Sequence, residues 1–296
     1  SWRWMFGVLV IPAILLFVGA LSVPNSPRWL AAKDRFDEAR DVLSKLRGTQ
    51  EEVDYEISEI RDALNRESES KGFAMFKRNP NFRRSVFLGF ALQIVQQFTG
   101  MNVIMYYAPR IFQMSGFEGT SASLWATVVT GLTNVLATFI AIALVDRAGR
   151  KPILYAGFAM MGVTMAILSF VLHIGASTPF LQYLAMAMVL TFVVGFAMSA
   201  GPLIWTLCAE IQPLQGRDFG IGVSTGANWI GNFCIGFFFP VMLTGIGGTA
   251  TFGILAVVNI AFIVFTLLLV PETKGISLEK IERNLLSGKR LRDIGI

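Results

Sequence analysis

What most constrains this chain is a series of apolar runs, each close to the length that crosses a bilayer. They cover about residues 4–23, 86–108, 124–145, 153–174, 183–208, 219–243 and 252–270. Some ~20 residues at ~1.5 Å rise span the ~30 Å of hydrocarbon. Inside hydrocarbon each backbone N–H and C=O must be satisfied within the protein, so every run is expected to be a helix. The expected fold class is an all-α membrane protein with seven transmembrane helices. A mean hydropathy of +0.58 with 15% charged residues speaks against a soluble domain.

Charge sets the expected orientation. All 25 Lys and Arg except Arg3 and Arg110 fall in segments 24–85, 146–151, 209–218 and 271–296. The positive-inside rule places these segments, and the C-terminus, in the cytoplasm. The net charge of +5 is therefore a topology signal. The expected partner is a lipid bilayer, with no nucleic acid.

Segment 24–85 is of mixed charge and reads as a helical linker. Phe36, Ala39, Leu43 and Leu46 share one helical face, Gly48 ends the run, and Thr49 with Glu52 forms a capping-box pattern. Val53, Ile57, Ile60 and Leu64 then line a second helix. The expected divisions are 1–23, 24–85, 86–270 and 271–296. Because the chain opens on Ser1 at the mouth of a span, and seven spans put its ends on opposite sides, a further N-terminal portion is expected.

Uncharged polar residues inside the runs locate the expected site. Residues 93–109 read QIVQQFTGMNVIMYYAP, placing amides and phenols where they must find hydrogen-bond partners. On a straight helix Gln93, Gln96, Gln97, Gly100 and Tyr107 share an arc of ~100°, whereas Asn102 joins them only if the helix unwinds near Gly100. The fifth run carries Gly195, Gly201 and Pro202, then Trp205. Gly/Pro-interrupted spans at matching positions of two successive triplets point to a binding site between inverted repeats. The sixth run sets Ser224, Asn228 and Asn232 on one face beside Trp229, with Asn228 read as a ligand contact and Asn232 as interhelical glue. The fourth run, nearly featureless, is expected to be lipid-facing scaffold. Cys208 and Cys234 read as core residues and His173 as a surface residue. No metal set, cofactor motif or paired nucleophile and base is present, which argues against an enzyme. Residues 146–152, DRAGRKP, form either a topogenic basic turn or a partner for charges on other helix ends.

Taken together, PNSPRWL, QQFTGMNVIMYYAP, VDRAGRKP, GPLIWTLCAEIQP with GRDFG, and PETKG resemble the sugar porters of the major facilitator superfamily, in that family's order. The tail ISLEKIERNLLSGKRLRDIG and the run GLTNVLATFIA resemble bacterial galactose–proton symporters first and arabinose–proton symporters next. The resemblance implies a twelve-helix major facilitator fold, of which this chain holds the last helix of the N-terminal bundle, the cytoplasmic linker and the whole C-terminal six-helix bundle. It implies multi-pass insertion in a bacterial inner membrane and sugar transport by alternating access, with a hexose such as galactose or glucose carried together with a proton. A facilitator without proton coupling and a non-transporting sugar receptor are the alternatives. It also implies roles. Gln96, Gln97, Asn102, Asn134, Trp205 and Asn228 match sugar contacts, with Trp229 a further one, and Tyr106 matches an outer-gate aromatic. Asp146, Arg147, Arg150, Glu210 and Arg217 match a cytoplasmic charge latch. Asn25 stands where the family usually has an acidic residue. Every acidic residue lies outside the runs or at their ends, so the proton-carrying group is expected in the N-terminal portion.

Overall fold

The structure is a computed structural model that describes residues 7–8, 10–67, 72–115 and 120–295; within these, the side chains of 28, 59, 62–67, 120–124, 146 and 279 lie outside the description. The chain divides into two units, Ser1–Lys71 and Gly72–Ile296.

In the first unit, α1 (Val10–Ser22) is apolar and buries no side chain. It is the described part of the first predicted span; residues 1–6 and 9 are not described. Pro24 follows it, and α2 (Pro27–Ala31), α3 (Phe36–Ser44) and α4 (Gln50–Glu67) form a small cluster around Leu30, Ala31, Ala39, Leu43, Val53 and Ile57. The Glu52 N–H donates to Thr49 Oγ1 (3.3 Å), half of the expected capping box. Leu46 is exposed rather than on the buried face, because α3 stops at Ser44 and the helical period stops with it. Ion pairs Arg40–Asp54 (3.0 Å) and Arg47–Glu56 (2.7 Å) bridge to α4; being exposed, they contribute little.

The second unit is a helical bundle. A short α5 (Gly72–Arg78) precedes six stretches long and apolar enough to cross a membrane. These are α6 with α7 (Pro80–Phe98, Met101–Met114), α8 (Thr120–Ala148), α9 (Arg150–Ile174), α10 with α11 (Pro179–Ala197, Ala200–Glu210), α12 (Arg217–Gly245) and α13 (Gly247–Leu269). An amphipathic α14 (Leu278–Leu286) then folds back, burying Ile281 and Leu285. Its end is tied to the start of α6 by Asn81 Nδ2 donating to Leu286 O (3.0 Å).

Packing follows the two triplets read from the sequence. The first member of each lies against the second of the other, α6 on α12 and α10 on α8, and the third members, α9 and α13, lie on each other. A bundle built from two related repeats produces this pattern. One expectation is corrected here. The fourth run, α9, is not lipid-facing scaffold: it packs against α10 and α13 and buries Leu154, Phe158, Met161, Met165, Leu168 and Val171. The open helix is α8, most of whose apolar side chains are exposed, whereas nearly half of α9 is buried. Hydropathy cannot separate them, since a side chain facing protein and one facing lipid are equally apolar.

Both first members are broken, at equivalent places. Between α6 and α7, Gly100 takes φ +94°, which an L side chain rarely adopts. Between α10 and α11 the kink falls at Met198–Ser199, and Pro202 sits in the first turn of α11, where its missing N–H costs nothing. The Ser199 hydroxyl donates to Gly195 O (2.5 Å) and faces Gly157 on α9. A Cβ at Gly157 would overlap Ser199 and approach Gly195 O to 2.8 Å, so α9 can seat the second break only without a side chain. Gly157→Ala is therefore expected to destabilise the bundle by about 1–3 kcal/mol. Gly222→Ala, with nothing within 4 Å, should leave stability unchanged. Thermal unfolding of both purified variants in detergent checks the contrast.

Candidate functional site

The two helix breaks face one cavity of about 270 Å3, lined by Gln96, Gln97, Met101, Asn102, Phe196, Gly201, Trp205, Asn228 and Trp229. Six of the sugar contacts expected from the sequence thus come together. The break at Gly100 is what allows it: Asn102 Nδ2 donates to Gln97 Oε1 (2.6 Å) across the break, a contact the straight helix forbids.

Hydrogen bonding divides the amides into two kinds. Gln96 is committed to the protein: its Nε2 donates to Ala200 O and Gly201 O (both 2.9 Å), and its Oε1 accepts from Asn228 Nδ2 (2.8 Å). It ties α6 to the first turn of α11. Asn228 Nδ2 also donates to Gln93 Oε1 (2.7 Å), so both N–H groups of Asn228 are used and its Oδ1 remains an acceptor. Gln97 keeps its Nε2 donors, and Asn102 its Oδ1. Beside these, the Trp205 indole offers an apolar face and one N–H donor. The cavity therefore presents fixed donors and acceptors beside aromatic surface, suited to a neutral polyhydroxylated ligand that also has apolar C–H faces.

Tyr106 does not line this cavity. It borders an adjacent groove of about 400 Å3 with Trp229, Asn232 and Phe233, and its hydroxyl accepts from Asn232 Nδ2 (3.3 Å). Asn134 lines neither space and sits half-buried on α8. Gln93, fully buried, shares the arc of Gln96 and Gln97 in the sequence reading but is not among its expected sugar contacts; its place under Asn228 comes from α6 packing on α12.

At the basic end of the bundle Arg150 Nη2 donates to Glu210 Oε1 (2.9 Å), with both side chains mostly buried. Glu210 Oε2 accepts from Thr273 Oγ1 (2.6 Å). Each charge is poorly placed on its own helix, a cation at the N-terminus of α9 and an anion at the C-terminus of α11, and the pair offsets both. Arg217 instead donates to Gln212 O (3.3 Å from Nη2), and Arg147 is exposed. The Asp146 side chain lies outside the described residues. The sequence reading missed Glu272 here. Its carboxylate accepts the backbone N–H groups of Arg150 (3.0 Å), Lys151 (2.9 Å), Thr273 (3.0 Å) and Lys274 (3.0 Å), capping α9 where Gly149 has no side chain to do so. Burial pushes this carboxyl up, but the four backbone donors outweigh it and hold it below the ordinary carboxylate value. Such a capping interaction is present above that ordinary value and lost as pH falls through the lowered one. Among the described residues no cluster of three metal-ligating side chains occurs, and both cysteines are free.

This geometry can be set beside known proteins. The profile of the family described as sugar (and other) transporter matches residues 1–285. The chain is 58% identical over 295 residues to the galactose-proton symporter of Escherichia coli K12 and 50% identical over 299 residues to its arabinose-proton symporter, covering 100% of this chain and 63% of each relative. It thus spans less than two thirds of the length of these relatives. Among solved structures, the major facilitator superfamily proton:xylose symporter XylE bound to 6-bromo-6-deoxy-D-glucose superposes with a TM-score of 0.75 at 29% identity, over 99% of this chain and 58% of that one. The inward-open form of XylE from E. coli gives 0.74 at 30% identity, over 95% and 56%. The chain belongs to the sugar (and other) transporter family, and its six-span bundle has the major facilitator fold.

Proposed function

We propose that this chain carries the sugar-binding bundle of a transporter that moves a hexose, galactose or glucose, across a bacterial inner membrane together with a proton. The observation that carries the reading is the fixed set of amides at the two helix breaks, Gln97 and Asn102 on one side and Asn228 on the other, beside Trp205. Sugar hydroxyls donate and accept, and so does this set; the indole covers an apolar sugar face. The names of the galactose- and arabinose-proton symporters support the substrate class and the coupling.

In this reading residues 1–23 are the last helix of an N-terminal bundle, 24–85 a cytoplasmic linker, 86–270 the C-terminal bundle and 271–296 a cytoplasmic tail. The basic end faces the cytoplasm, following the Lys and Arg distribution. Arg150, Glu210, Thr273 and Glu272 form a latch there, a bistable element whose opening exposes the site inward. The proton-carrying group lies in the N-terminal bundle. Asn134 and Tyr106 serve as a peripheral sugar contact and an outer-gate aromatic.

Three measurements on the full-length protein test this. Labelled galactose should accumulate in proteoliposomes above equilibrium under an inward proton gradient and lose that accumulation with an uncoupler; equilibration indifferent to the gradient would instead identify a facilitator, and binding without uptake a receptor. Gln97→Ala should weaken sugar binding roughly 5- to 100-fold, the cost of about 1–3 kcal/mol for leaving polar groups unpaired, with insertion intact. Unchanged affinity would remove Gln97 from the site. Arg150→Ala leaves Glu210 without its charge partner, a loss of about 3 kcal/mol for a mostly buried pair, and should slow transport far more than it weakens binding. Wild-type turnover in that variant would leave the basic turn with a topogenic role alone.

A further inference from the structure

We infer that Asn259 on α13 is a positioning residue for the broken helix: its side chain fixes the hinge at Thr99–Gly100 on which the Gln97–Asn102 pair depends. The functional meaning of that pair rests on the sugar-transport reading above; the assignment of the hinge does not.

Asn259 is the sole amide of α13 and is fully buried. Its Nδ2 donates to Thr99 O (3.0 Å) and to Leu255 O of its own helix (2.8 Å), while its Oδ1 has no hydrogen-bond partner. Thr99 O is the carbonyl just before the break; past it, the backbone ladder resumes with Ile104 N–H donating to Gly100 O (3.0 Å). One turn earlier on α13, Leu255 fills the space beside Gly100, where a Cβ would meet its methyl carbons at 3.0 and 3.1 Å. One face of α13 therefore holds both residues of the break, Thr99 by a hydrogen bond and Gly100 by shape. Packing alone does not account for this side chain, because a leucine of similar volume would fill the space without a buried unpaired oxygen. What the amide adds is a partner for the carbonyl that the break turns away from its helix. If the hinge re-anneals by one residue, Asn102 rotates by ~100° and leaves Gln97.

The test uses the full-length protein carrying Asn259→Leu, with Asn259→Ala as a second variant should leucine fail to insert. Amide hydrogen exchange without sugar is read first. Exchange in residues 100–104 should rise about 10-fold or more while α9 stays protected; unchanged exchange there overturns the hinge assignment. Galactose affinity is then followed by intrinsic tryptophan fluorescence. Asn259→Leu should weaken it about 10-fold in the wild-type background and leave it unchanged in a Gln97→Ala background, because the hinge acts through that residue. Additive losses overturn the positioning role, since they would mean that Asn259 acts by another route. A parent protein that binds no sugar overturns the sugar reading, while the exchange result still decides the hinge.

Discussion

Every feature of the site depends on one constraint: a backbone carbonyl or amide freed inside hydrocarbon must find another partner. The bundle breaks two of its helices at the level of the cavity and satisfies both breaks with side chains. At the first, Asn259 on α13 takes Thr99 O. At the second, the Ser199 hydroxyl takes Gly195 O, and Gln96 reaches across from α6 to Ala200 O and Gly201 O. The breaks allow polar side chains from non-adjacent turns to converge, and the same side chains keep the breaks from closing. Binding geometry and backbone satisfaction are thus one arrangement.

The amides consequently differ in availability. Gln96 bonds through both ends of its amide inside the protein and Gln93 through its oxygen, and in doing so they orient Asn228 with its oxygen left over. Gln97 and Asn102 orient each other and keep groups for a ligand. A preorganised set of this kind limits the ordering cost of binding, because the side chains are held before the ligand arrives.

At the basic end the same logic operates with charges. The start of α9 carries Arg150, which its helix dipole disfavours, and the end of α11 carries Glu210, disfavoured likewise. They pair with each other, and Glu272 supplies the carboxylate that the start of α9 needs. Three distant segments of the chain, 146–152, 210–217 and 271–274, are thereby tied at one point, so a shift of any one disturbs the others.

The sequence by itself determined the class of fold, the order of the six spans in the second unit and the two helices that break, because apolar length and Gly/Pro interruptions act locally through backbone satisfaction. It also named the six amides and indoles among the nine residues around the cavity, since such a group in hydrocarbon is conspicuous wherever it lies. Only the tertiary structure decided what each polar group does. Gln96 reads as a sugar contact, and the structure adds its tie to Ala200 O and Gly201 O; Glu272 reads as a motif letter until its N–H partners are seen, and Asn259 gains its meaning from Thr99 O. Tyr106 and Asn134 have the right chemistry but lie off the cavity. The α9 and α8 runs look alike in sequence, yet one is packed into the bundle and the other is its open side. Hydrogen-bond partners and lipid exposure are set by which helices meet, and residues 100 or more positions apart carry no local signal of that meeting.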